Sequence, residues 1–192
     1  MAKKTLAELV AAVHDITPPS NDTVDYLNEA QRDLVTESER AKTADVLVVA
    51  GKVPVPEDAL YVRTVAFQGK ILQLFPSHVI ANSSTVQGSY PRYYLPQGDN
   101  IEVYPAVENG RAVTLVYCPA PAELEDNADV SELDGADDAM IAFAKSKIYK
   151  RHEDVMQAAF WQNNYAEEAA KWVVNENRKY RRRREMRVRP FM

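Results

Sequence analysis

The 192-residue chain has a single cysteine, Cys118, three histidines and six glycines, and no uninterrupted apolar run long enough to span a bilayer. One cysteine excludes an internal disulfide and any thiolate-rich zinc site, and it fits a reducing compartment. His14, His78 and His152 lie on separate stretches, so no pair has the spacing of metal ligands. The phosphate-cradling GxxxxGK[ST] loop, GxGxxG after a strand, HExxH and GxSxG are all missing. Asp137-Asp138 stands at a helix start, where the helix dipole accounts for two acids without catalysis. The chain therefore reads as a non-enzyme needing no metal or cofactor. Met1–Leu6 carries two lysines with no apolar run behind them, which argues against a secretory leader, and no stretch points to a membrane.

What is present is ordinary in amount and uneven in place. Apolar residues make up 46% and charged residues 27%, enough for a real core. The formal charge of −5 conceals a division. Residues 178–192 hold eight of the 23 Lys and Arg residues and one acid, leaving 15 basic against 27 acidic residues, a balance of −12, in the remainder. An acidic body with a basic end is suited to attachment. One domain over 1–177 and a basic arm over 178–192 are expected.

The periodicity predicts an α+β chain: about four helices in a bundle, with a small antiparallel β region inserted. Leu6, Leu9, Val10 and Val13 predict a helix over 4–15, which Pro18-Pro19 ends. Val24, Leu27, Ala30 and Leu34 predict a second over 21–42. The pattern then turns to strands over 45–118. Gln68-Gly69-Lys70 reads as one hairpin turn, and 96–100 reads as a turn before a strand over 101–104. Asn109-Gly110 reads as a hairpin joining that strand to 112–118. The intervening stretch 76–84 reads as an irregular link. Helices over 136–151 and 154–184 follow a Pro-containing acidic linker. Met140, Ile141, Ala144 and Ile148 form the apolar stripe of the first. Trp161, Tyr165 and Trp172 mark the core-facing side of the second.

Beyond Arg178, arginines fall on every side of a continued helix, which excludes an amphipathic membrane helix. Arg178, Lys179, Tyr180, Arg181, Arg182, Arg183, Arg184, Arg187, Arg189 and Phe191 are the candidate docking residues. The terminal Pro190-Phe191-Met192 suits a protein surface better than DNA, although arginines also pair with phosphates, so a nucleic-acid-binding module acting through this end is the alternative.

One stretch carries a resemblance. Arg92-Tyr-Tyr-Leu-Pro-Gln-Gly-Asp-Asn-Ile-Glu-Val-Tyr-Pro105, followed by Val113-Thr-Leu-Val-Tyr-Cys-Pro-Ala-Pro-Ala-Glu-Leu124, resembles the head–tail adaptor, or connector, proteins of tailed bacteriophages. The similarity lies in a Tyr-rich strand, a Gly-Asp turn, an Ile-x-Val-Tyr-Pro strand and a Pro-containing exit, followed by a helix pair. It implies a structural protein of the virion neck, made in the host cytoplasm. Such a protein forms a homo-oligomeric ring, commonly of twelve copies, below the portal protein. The ring extends the channel through which viral DNA passes and gives tail or other neck proteins a platform. The position and charge of 178–192 match the segment that reaches the portal in such proteins.

Overall fold

A computed structural model describes residues 3–75 and 90–188, with the side chains of 182–188 excepted. The expected link over 76–84 and the candidates Arg189 and Phe191 lie outside the described residues. The chain divides into two compact units. Met1–Arg40 and Ala120–Met192 form one, and Ala41–Pro119 forms the other.

The first unit is helical. Its helices are α1 (Leu6–His14), α2 (Thr23–Glu37), α3 (Asp137–Arg151) and α4 (Val155–Val188). Thr5 and Glu8 close a capping box at the start of α1: the Thr5 hydroxyl accepts from the Glu8 N–H, and the Glu8 carboxylate accepts from the Thr5 N–H at 2.8 Å. Two further first-turn amides, of Leu6 and Ala7, donate to the carbonyls of Asp129 and Asn127 in the linker before α3. The other three helices pack with α3 at the centre. Its alanines 139, 142 and 144 carry little bulk, so neighbours approach on several sides, and every residue from Ala139 to Ser146 is buried. A single apolar stripe was expected here. The all-round burial includes Lys145 and Ser146, which no hydrophobic pattern indicates.

Helix α2 stops at Glu37, five residues short of the expected end. Ser38 adopts extended backbone at φ −84° and ψ 165°, its N–H and hydroxyl both donate to the Val35 carbonyl, and Lys42 already begins a strand. Helix α3 has Ala136 at its N-cap with no side-chain cap. Helix α4 continues through Val188. The expected helix over 154–184 is thus present and runs four residues further, into the span read as a basic arm.

The second unit contains β1 (Lys42–Leu47), β2 (Lys52–Pro54), β3 (Ala59–Phe67), β4 (Lys70–Ile71), β5 (Gln73–Leu74), β6 (Tyr93–Gln97), β7 (Asn100–Tyr104) and β8 (Ala112–Pro119). They form two four-stranded sheets, ordered β1-β8-β3-β4 and β2-β7-β6-β5. All pairings are antiparallel except β5 with β6. Val113, Leu115 and Tyr117 alternate inward from β8, Ile101 and Val103 inward from β7, and with Val53, Val65 and Phe67 they form one shared core.

The turn residues Gln68 and Gly69 both have positive φ, 48° and 78°, which is the two-residue type I′ geometry that the right-handed strand twist favours. Asn109-Gly110 behaves differently. Gly110 turns the chain at φ 82°, yet β7 and β8 lie in different sheets, so the expected hairpin is not formed. The Asn109 side chain instead accepts from the Gly51 N–H at 2.9 Å, and the Gly110 N–H donates to the Val48 carbonyl at 2.9 Å. The turn signal is local, whereas strand partners are chosen by which apolar faces meet. Ile101 and Val103 reach the core by pairing with β2 and β6. The small antiparallel β region expected from sequence is therefore two sheets, one of which includes a parallel pairing.

Candidate assembly surfaces

Helix α4 carries the anticipated site residues, and its two ends differ in character. Tyr165 and Trp172 are buried against the helical unit, with Ala169 and Glu176 on the same side, while Trp161 is half-buried. The Tyr165 ring meets Phe143 edge-on with centroids 5.0 Å apart, and its hydroxyl donates to the Asp33 carboxylate of α2. Burial, and then that bond, push the Tyr165 phenol far above the usual tyrosine range. The Trp172 indole N–H donates to the Asp134 carbonyl at 3.1 Å. Lys3 sits 2.8 Å from the Asp134 carboxylate and lowers its pKa through that hydrogen bond and its charge.

Two charged residues are buried where sequence periodicity shows nothing. Lys145 is 5% exposed; its ammonium lies 3.0 Å from Asp15 and 4.6 Å from the centre of the Trp161 ring. Glu176 is 8% exposed and lies between Arg40 at 3.8 Å and Lys179 at 2.9 Å. A Glu176–Lys179 pairing is legible as an i,i+3 helix pair. The Arg40 contact is not, because it joins residues 136 positions apart.

The basic residues at the end of α4 do not form one uniform exposed cluster. Lys179 is held by Glu176. Tyr180 is half-buried, with its hydroxyl 3.4 Å from the Arg40 Nε. Arg181 is exposed and pairs with Glu39 at 2.8 Å. Arg178 is exposed and projects from the side of α4 opposite the buried stripe. Arg182, Arg183, Arg184 and Arg187 continue the helix. The sequence placed all of these on one detached arm, whereas three of the first four are engaged with α2, its C-terminal extension or α4 itself.

The described residues contain no cluster of three or more potential metal ligands and no helix long and apolar enough to cross a membrane. An open apolar surface lies at the other end of α4. Val155, Met156 and Phe160 are 76%, 84% and 57% exposed. Beside them α2, α3 and α4 enclose a groove of about 860 Å³, floored by Phe143 and Ala158 and edged by Glu29, Lys147 and Lys150.

The helical unit is built from both ends of the chain, with the β unit between them in sequence, and a family match gives the class of protein to which this chain belongs. The SU10 adaptor protein family matches residues 4–190, nearly the whole chain, and the protein belongs to that family of phage head–tail adaptors. No curated protein matches the chain. The protein is thus a structural component of a phage virion that assembles with other neck or portal proteins.

Proposed function

We propose that this adaptor assembles as an oligomeric ring, of about twelve copies, below the portal protein, where it prolongs the DNA channel and presents a platform to the tail. The family match from residue 4 to 190 carries this reading. The charge division supports it physically. An acidic body beside a channel repels phosphates and lets DNA slide, while basic helix ends pair with acidic surfaces on a partner. Residues 178–192 serve as the portal-docking segment of an adaptor domain spanning 1–177, and the tryptophans and Tyr165 hold α4 in a helix bundle.

Co-sedimentation with the purified portal ring tests the reading. The full chain is expected to pellet with the portal, and a chain lacking 178–192 is expected to stay in solution. Retained binding by the shortened chain overturns the docking role. DNA binding that falls steeply with salt, together with no portal association, favours a nucleic-acid-binding module instead.

A further inference from the structure

Helix α4 presents two sides with apolar residues, and only one is covered. At about 100° per residue, the buried Tyr165, Ala169, Trp172 and Glu176 cluster on one side. Met156, Phe160, Glu167 and Val174 recur at spacings of 4, 7 and 7 on the opposite side. Met156 is 84% exposed, Phe160 57% and Val174 50%. Met156 and Phe160, about one turn apart, and Val174, about 21 Å further along the axis, mark one outward ridge. The groove edged by Glu29, Lys147 and Lys150 lies on another side of the same helix, reached by Val155, Ala158 and Ala159, about 120° around from the ridge by helical phase.

The charges of ridge and groove complement each other. Within the groove, Lys147 is paired with Glu29 at 2.6 Å and Arg32 with Glu123, but Lys150 has no ion pair among the described residues. On the outer side of α4, Lys171 is paired with Glu168 at 2.7 Å and is reached by the charge of Glu167, which lies between Phe160 and Val174 on the ridge and makes no ion pair of its own among the described residues. One molecule thus offers an apolar ridge with an exposed anion and, separately, an apolar-floored groove edged by a cation without an ion pair among the described residues.

We infer that the ridge of one copy seats in the groove of the next, with Glu167 facing Lys150 across the contact. A contact between two different patches of the same molecule is heterologous: it repeats from copy to copy and closes where the rotation permits. The groove cannot be filled by its own ridge, because the ridge lies on a different side of α4 from the residues that line the groove. This inference rests on the reading of the protein as a ring-forming adaptor, and it names the surfaces through which copies meet.

Charge reversal tests it. Glu167→Lys places a cation opposite Lys150, and Lys150→Glu places an anion opposite Glu167, so each variant alone repels its own copies. Mixed in equal amounts they can alternate, because each contact then joins a cation to an anion. Sedimentation velocity over a concentration series, with circular dichroism to verify folding, is expected to show association weakened at least tenfold for each variant and recovered in the mixture. Phe160→Asp, at an exposed position, is expected to weaken association without recovery on mixing with either. Variants that associate like the wild type, or a mixture no better than its components, overturn the interface. If the wild type is monomeric at every concentration, the same samples are loaded on the portal ring and the bound copies counted by native mass. Reduced loading by each variant and full loading by the mixture support the interface, and equal loading by all overturns it while leaving the adaptor reading intact. Failure of every sample to bind the portal overturns that reading, and with a monomeric chain it overturns the interface too.

Discussion

The linker that follows β8 is held to α2 by a buried polar network whose cost of removal can be worked out bond by bond. The Asn28 side chain acts like a peptide group: its Oδ1 accepts from the Leu124 N–H at 2.9 Å and its Nδ2 donates to the Leu124 carbonyl at 3.1 Å. Gln31, 1% exposed, donates to Asn28 at 3.1 Å and to the Ala122 carbonyl at 3.3 Å, and accepts from the Ser131 hydroxyl at 2.7 Å. Asn28→Ala removes the partner of two Leu124 backbone groups on a residue only 3% exposed. Each buried group left unsatisfied costs about 1–3 kcal/mol, and a water admitted to the gap recovers part, so a net loss of about 2–4 kcal/mol is expected. At about 2–4 °C per kcal/mol, the melting point should fall by roughly 5–15 °C. Asn28→Leu fills the volume without restoring a bond and should lose at least as much. Both tryptophans, Trp161 and Trp172, lie on α4, so urea unfolding followed by tryptophan fluorescence reports on the helical unit alone. A cycle with Gln31→Ala should show coupling, because the two amides touch. An Asn28→Leu protein within about 0.5 kcal/mol of wild type refutes the reasoning, since the linker would then be held by packing and not by these bonds.

Three further outcomes follow from particular contacts. Tyr165→Phe should cost about 1 kcal/mol, the worth of a hydrogen bond to a carboxylate that keeps some solvent contact. The folded state raises the Tyr165 phenol above its ordinary value of 10.0, so its contribution is complete below pH 10 and is lost as pH climbs beyond it, at up to about 1.4 kcal/mol per pH unit; fluorescence-detected melts from pH 9 to 11 should slope downward in the wild type and less so in the variant. Gly69→Ala should cost about 1 kcal/mol through the positive φ alone, because nothing lies within 4 Å of the added methyl, and far-ultraviolet circular dichroism of the sheets should show it. Lys145→Met should fold with stability within about 1 kcal/mol of wild type, because Asp15 keeps 59% of its side chain in solvent and tolerates losing its partner; urea titration checks it.

Helices were the most legible elements, because their signal is a spacing along the chain. Leu6, Leu9 and Val13 are fully buried, as their spacing requires, and Met140, Ala144 and Ile148 fall on the predicted inner side of α3. The end of α2 was not legible, since a serine that turns the chain by bonding its own preceding carbonyl looks like any surface polar residue. The sheets were legible as strands but not as partners. Gln68-Gly69 and Asn109-Gly110 carry comparable turn chemistry, and only the first closes a hairpin, because pairing is settled by residues far apart in sequence. For the candidate surfaces, composition revealed the basic end but hid its engagement with Glu39 and Arg40. The outward ridge was readable in principle as a second apolar spacing on α4. Its aromatic and thioether members were overshadowed by the stronger Tyr165–Trp172 stripe on the other side.

The insertion of the β unit into the helical one has a consequence for how the chain folds. Seventy-nine residues, Ala41–Pro119, separate the parts of the helical unit, a loop whose closure is entropically costly if it is free. Yet β1 and β8, the first and last strands of the insertion, are neighbours, with Lys42 paired to Tyr117. Once the sheets form, the two points where the chain leaves and re-enters the helical unit are tied together, and the effective loop shrinks to a few residues. Four halvings of loop length lower the closure cost by roughly 2 kcal/mol. The β unit is also contiguous in sequence, so it can complete itself during synthesis while α3 and α4 are still unmade. It then serves as a covalent clasp that brings α2 within reach of the helices that must pack on it. A substitution in the β1–β8 pairing should therefore slow the appearance of tryptophan burial in a unit that contains none of those strands.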